Sequence, residues 1–123
     1  MITNYSSDST GIRGNCLYPY RHEVTDAAGL REAVLHDYVC AEYKNSYRSG
    51  GNFITSNCLG MDCDNDHTDH EHEWINPDDA RRHLPAVPLA THFSSTHMTP
   101  TDQKSVTPRF HSRFPLEPYT AAQ

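Results

Sequence analysis

The run CLGMDCDNDHTDHEH, residues 58–72, limits what this chain can fold into more than any other stretch. Its first half alternates. Leu59, Met61 and Cys63 fall on one side and Gly60, Asp62 and Asp64 on the other, which is the period of a strand. The second half carries too many acidic and imidazole side chains to enter a core. The pattern therefore predicts a strand from about Leu59 to Asp64 that runs out into a polar turn, with Leu59, Met61 and Cys63 directed at the core. Asp62 and Asp64 then sit side by side on the opposite face. Neighbouring carboxylates repel unless a cation separates them, and a divalent metal converts that repulsion into coordination. Cys58, Cys63, His67, His70 and His72 also contain enough ligands for zinc. Their spacing matches no common finger, and no second cysteine pair closes such a site. The histidines and acids after Asp64 equally suit a solvated loop.

The rest of the chain bounds the setting. With 123 residues, 36% hydrophobic content and a mean hydropathy of −0.75, there is material for one small domain with a modest core. Six glycines and eight prolines predict many loops. Ten Lys and Arg against 16 Asp and Glu give a net charge of −6, which opposes long-range attraction to a polyanion, so a nucleic-acid role needs a local basic patch. Cys16, Cys40, Cys58 and Cys63 form no CxxC pair and are expected as reduced thiols. No apolar run reaches the length of a membrane span, and MITNYSSDSTG lacks the apolar centre of a signal peptide. The expected setting is the cytoplasm, away from any membrane.

Residues 1–15 are polar and aperiodic and are expected as a flexible arm preceding a domain over 16–123. Thr25 or Asp26 can cap a helix carrying Ala27, Leu30, Ala33 and Val34 and ending near His36. Tyr38 to Tyr43 reads as a strand, separated from the next segment by Ser49-Gly50-Gly51. Asn76-Pro77-Asp78-Asp79 is a strong helix start: a capping Asn, Pro at the first position and acids against the helix dipole, with Pro85 ending the helix. Leu89 to Phe93 reads as a strand, residues 94–108 as a long hairpin loop, and Arg109 to Phe114 as a last strand closed by Pro115 and Pro118. In that strand Phe110, Ser112 and Phe114 share one face, leaving Arg109, His111 and Arg113 as a cationic row on the other. A triphosphate bridged by a divalent ion suits such a row beside Asp62 and Asp64. The fold class is α+β, a small sheet with two helices.

These residues carry a family resemblance. Leu59-Gly60-Met61-Asp62-Cys63-Asp64 resembles the hydrophobic-Asp-x-Asp motif of the archaeo-eukaryotic primase superfamily, the primase-polymerases of phages and plasmids. Pro108-Arg109-Phe110-His111 resembles its second motif, a short strand ending in His, about fifty residues further on. The stretches CAEYKNSYRSGGNF, MDCDNDHTDH and STHM extend the likeness over roughly residues 16–118. The resemblance implies an RRM-like primase-polymerase sheet, Asp62 and Asp64 as ligands of Mg2+ or Mn2+, and His111 on the phosphates of an incoming nucleotide. Lys104 and Arg109 are further phosphate candidates. The family's third acidic motif, on a later strand, does not occur before Gln123, so the resemblance implies an incomplete catalytic module.

Two functions are expected from these features. One is a shortened primase-polymerase-like protein of a mobile element, without stand-alone catalysis. It would bind a basic nucleic-acid-handling protein through its acidic surface and the aromatic anchors Tyr43, Tyr47 and Tyr119, for example as an inhibitor of a host defence nuclease. The other is a catalytic-core piece that performs metal-dependent nucleotidyl transfer on a nucleoside triphosphate and a DNA template.

Overall fold

A computed structural model describes residues 1–94, 97–99 and 106–121. It is a small α+β protein with two helices and two antiparallel sheets. Strands β1 (Ile2–Ser6), β2 (Tyr20–Val24) and β3 (Tyr38–Val39) form one sheet in the order β2-β1-β3. Strands β4 (Ala41–Tyr43), β5 (Phe53–Cys63), β6 (Ala90–Phe93) and β7 (Phe110–Thr120) form the other in the order β4-β5-β7-β6. Helix α1 covers Ala27–Ala33 and α2 covers Pro77–His83. Among the described residues no helix is long and apolar enough to cross a membrane. The chain divides into two compact units, Met1–Leu59 with Pro115–Gln123, and Gly60–Phe114, the division falling within β5 and within β7.

In the first unit, the segment expected as a flexible arm contains the central strand of a sheet. β1 pairs with β2 from Ile2↔Val24 to Ser6↔Tyr20, and with β3 through Tyr5↔Val39 and Ser6↔Tyr38. Its polar residues Thr3, Asn4 and Ser6 are buried. Polar side chains enter a core when partners satisfy them. Thr3 N–H donates to Asn57 Oδ1 at 2.9 Å, Asn57 Nδ2 donates to Thr3 Oγ1 at 3.0 Å, and Ser6 Oγ pairs with His22 Nε2 at 2.8 Å. Those partners lie 54 and 16 residues away, so nothing local marks ITNYS as core.

Asp26 caps α1, accepting from the Gly29 N–H at 2.7 Å. The helix stops at Ala33, three residues earlier than the periodicity predicts. The single strand predicted over Tyr38 to Tyr43 is two short ones, β3 in the first sheet and β4 in the second. Cys40 is the crossover, and its carbonyl accepts from Ser56 Oγ at 2.6 Å. β5 starts at Phe53, six residues before the predicted Leu59. Its Thr, Ser and Asn residues look like loop but are anchored: Thr55 Oγ1 donates to the Tyr119 carbonyl at 2.8 Å, besides the Ser56 and Asn57 bonds. Ser56 and Cys58 are the buried residues of the strand, and beyond Cys58 both faces are exposed as far as Asp62. Leu59 and Met61, expected in the core, are 53% and 38% exposed.

In the second unit, α2 forms as its sequence predicts. The Asp79 N–H donates to Asn76 Oδ1 at 3.0 Å, and the Asn76 N–H donates to Asp79 Oδ2 at 2.8 Å, closing a capping box with Pro77 at the first position. The helix buries no residue, so this local chemistry carries it. β6 and β7 pair antiparallel from Ala90↔Arg113 to Phe93↔Phe110. Phe110, Ser112 and Phe114 are buried, as their alternation predicts. Pro115 and Pro118 do not close the strand, which continues through both to Thr120. Proline lacks an N–H and is tolerated where no ladder bond is required, and the β6 pairing extends no further than Arg113.

Asn65 organises the turn after β5. It is buried, with a left-handed φ of 55°. Its Nδ2 donates to the carbonyls of Ile75 and Pro108, both at 2.9 Å, and its Oδ1 accepts from the Ile75 N–H at 2.7 Å. Thr107 Oγ1 donates to the Asp64 carbonyl at 2.7 Å alongside. Removing three bonds between this buried side chain and backbone should cost about 3 kcal/mol in Asn65→Ala. Asn65→Gly should lose roughly 1 kcal/mol less, because glycine accepts the left-handed conformation that alanine resists. Urea unfolding of the two variants checks this, and equal losses would remove the backbone contribution from the account.

Candidate functional site around Asp62 and His111

Asp62 lies one residue before the end of β5 and His111 is the second residue of β7. The structure brings them together: His111 Nδ1 is hydrogen-bonded to Asp62 Oδ1. A carboxylate accepts only, so the Nδ1–H donates and the Nε2 lone pair is left outside this bond. The Asp62 side chain is 70% exposed and that of His111 28% exposed, which leaves the second carboxylate oxygen open to solvent. Asp64 follows the end of β5, its carbonyl held by Thr107.

The other members of the predicted basic row are placed differently. Arg109 and Arg113 are both buried, each 1% exposed, so the row is not a solvated cationic face. The Arg109 Nη1 donates to the Thr99 carbonyl at 3.0 Å, and its Nη2 lies 3.7 Å from Asp66 Oδ1. Its backbone N–H donates to His97 Nδ1 at 3.1 Å. Arg109 thus ties the loop ends to β7. Alternation sets side chains on opposite faces but does not say whether the second face stays open, and here both faces are covered. Lys104 lies outside the described residues.

Two residues that sequence reasoning left without a role belong to this region. His92 lies directly across from His111 in the β6–β7 pair, and the two rings stack with centroids 5.0 Å apart and planes at 19°. His92 Nδ1 bonds the Phe93 carbonyl at 3.0 Å, and Arg113 Nη2 lies 3.5 Å from His92 Nε2. His97 is the second, as acceptor for Arg109. A signal for the first was present: His92-Phe93 and Phe110-His111 are mirrored dipeptides. Antiparallel pairing of the phenylalanines necessarily pairs the histidines.

The donor set can be tested against a metal. Asp62 offers hard carboxylate oxygen, which suits Mg2+ or Mn2+. Burial pushes the Cys63 thiol up, with the Asp64 charge acting in the same direction against the Asn65 backbone bond, so Cys63 does not supply a ready thiolate for zinc. Cys58 is buried, its Sγ directed at the Cys40 carbonyl at 3.9 Å. In the acidic run, His67 Nε2 bonds the Glu73 carbonyl at 3.1 Å and the Trp74 Nε1–H donates to the Thr68 carbonyl at 3.0 Å, so the run folds back on itself. Among the described residues no group of three or more His, Cys, Asp or Glu is arranged to share one metal ion. Carboxylate oxygen of the kind that Asp62 presents, with Asp64 two residues further on, suits a hard cation better than zinc.

No family model matches this chain, and no curated protein or solved structure does.

Burial pushes the His92 imidazole below its ordinary 6.5; the Phe93 carbonyl opposes this, Arg113 and His111 reinforce it, and Asp62 opposes it weakly. The folded state therefore favours neutral His92, while the unfolded chain takes up a proton below 6.5. This contribution to stability is complete above that pH and is lost as the pH falls through the lower folded value. In His92→Phe, the decline of unfolding free energy from pH 6.5 toward acid should be shallower than in the wild type. Identical slopes in urea titrations would show that His92 is not an acid-sensitive group.

Proposed function

We propose that the Gly60–Phe114 unit carries a nucleotide-handling site of primase-polymerase type, in which Asp62 and Asp64 hold Mg2+ or Mn2+ and His111 engages the triphosphate of a nucleotide that is to be paired with a DNA template. The observation that carries this reading is the hydrogen bond between Asp62 and His111. It joins the two motifs through which the chain resembles that superfamily, although they lie 49 positions apart. The primase-polymerase-like architecture belongs to the same proposal.

Each residue has a chemical part. Asp62 does two jobs with its two oxygens: one accepts the hydrogen bond of His111 Nδ1–H and the other faces solvent, where a cation and its waters have access. When His111 is protonated, Nδ1–H stays on Asp62 and Nε2–H becomes a charged donor for a phosphate oxygen. A divalent cation at Asp62 and Asp64 would supply charge neutralisation of the triphosphate and polarise it for displacement of pyrophosphate. With Arg109 and Arg113 buried in the structural framework, His111 is the cation of the row that a ligand can reach.

The alternative, binding to a basic nucleic-acid-handling protein through tyrosine anchors, has weaker support. Phe53 holds Tyr43 in an edge contact at 6.1 Å and Tyr119 at 5.9 Å, so two of the three anchors already pack within the protein. Tyr47, 47% exposed, is left to act as one.

Calorimetry with a nucleoside triphosphate in Mg2+ or Mn2+ tests the proposal. The wild type should bind in a metal-dependent way. Asp62→Ala should abolish the metal dependence, and His111→Ala should weaken binding on the order of tenfold, about 1.4 kcal/mol. Arg81→Ala, in an exposed ion pair on α2, should leave it unchanged. Absence of metal-dependent triphosphate binding by the wild type would refute the nucleotide reading, and stoichiometric zinc surviving dialysis would reassign the acidic run.

A further inference from the structure

His92 has no part in the site just proposed, yet its two ring nitrogens are both engaged and its face covers His111. The Nδ1–H donates to the Phe93 carbonyl on its own strand at 3.0 Å. Nε2 faces the Arg113 Nη2 of β7 at 3.5 Å. A guanidinium can only donate, so Nε2 must keep its lone pair, and the tautomer with the proton on Nδ1 satisfies both neighbours. The ring is thereby fixed in plane, half-buried, 5.0 Å from the His111 ring and within 19° of parallel to it. The charged and titratable groups meeting the two rings are Asp62 from β5 and Arg113 from β7.

We propose that His92 is a positioning residue for His111: its locked ring is the plate against which His111 stacks, keeping Nδ1–H on Asp62 and leaving Nε2 to the ligand. Free histidine in water favours the opposite neutral tautomer, with the proton on Nε2, so the arrangement has to be imposed. Asp62 supplies the hydrogen-bond acceptor, but it sits at an exposed strand end and does not by itself fix the ring plane. The stacked His92 does. A misoriented ring would turn Nε2 away from a phosphate oxygen, and small errors in placement of a binding group are costly. Arg113 acts one step back, by fixing the plane of His92.

The ligand in this inference is the triphosphate of the proposed function; the tautomer rests on geometry alone. Two substitutions separate stacking from hydrogen bonding. His92→Phe keeps a ring over His111 and removes both ring nitrogens. His92→Gln keeps a donor and an acceptor and removes the ring. In the full chain, side-chain 15N NMR should show that wild-type His111, whenever its ring is neutral, carries the proton at Nδ1, the same ring orientation that aims Nε2–H at the phosphate once the ring is charged. His92→Phe should retain that signature, whereas His92→Gln should give a mixture of tautomers and weaken binding of the Mg2+–triphosphate on the order of tenfold. Retention of the single tautomer in His92→Gln, or equal effects of both substitutions, would overturn the proposal. A wild type that binds no triphosphate would end the nucleotide reading while leaving the tautomer result to decide the role of His92.

Discussion

A polar group taken out of water must find a partner, and this protein takes many out. Its buried side chains include ten polar or charged residues beside eight hydrophobic ones. An unpaired polar group in such a place costs about 1–3 kcal/mol, comparable with what burying an aliphatic side chain contributes. Hydrophobic burial alone therefore cannot select this structure, because polar residues in the wrong pairing would cancel it. The selection comes from bonds such as Thr3 to Asn57, Ser56 to the Cys40 carbonyl, and Asn65 to the backbone of Ile75 and Pro108. Each joins segments distant in the sequence and fixes a strand end or a crossover.

The candidate site depends on the same constraint within the Gly60–Phe114 unit. Asn65 and Thr107 hold the turn after β5 against the approach to β7. Arg109 holds the loop before β7 through Thr99 and His97, and faces Asp66 of the turn after β5. With both ends of that loop fixed, the β6–β7 pairing sets His92 opposite His111, and His111 reaches Asp62. The buried guanidiniums serve the framework. Of the residues brought together here, Asp62 is the exposed carboxylate and His111 is the partly exposed base, in a chain whose net charge is −6.

The features legible in the sequence are local ones. Asp26 and Asn76 cap their helices through bonds to residues three positions on, so neighbouring sequence contains all the chemistry involved. The buried face of Phe110, Ser112 and Phe114 follows from the two-residue period once a strand is granted. The features that sequence reasoning misses are non-local. ITNYS reads as a flexible arm and FITSNC as connecting chain because their hydroxyls and amides look solvated until Asn57, His22 and Tyr119 arrive as partners. Leu59 and Met61 read as inward because alternation gives two faces but not whether either is covered, and beyond Cys58 the strand is exposed on both as far as Asp62. Pro115 and Pro118 read as stops because the end of the β6 pairing at Arg113, beyond which that side of β7 needs no ladder bond to β6, is invisible in sequence.

The sequence by itself determined two capped helices, a strand that runs into the acidic stretch, and the acidic balance of the chain. These rest on contacts within four residues or on composition. Tertiary structure alone decided that Asp62 meets His111, that His92 lies beneath it, and that Arg109 and Arg113 are buried. The physical reason is that side-chain alternation fixes which residues share a face, whereas strand pairing and the covering of each face fix what that face meets, and those depend on chain segments far apart in the sequence.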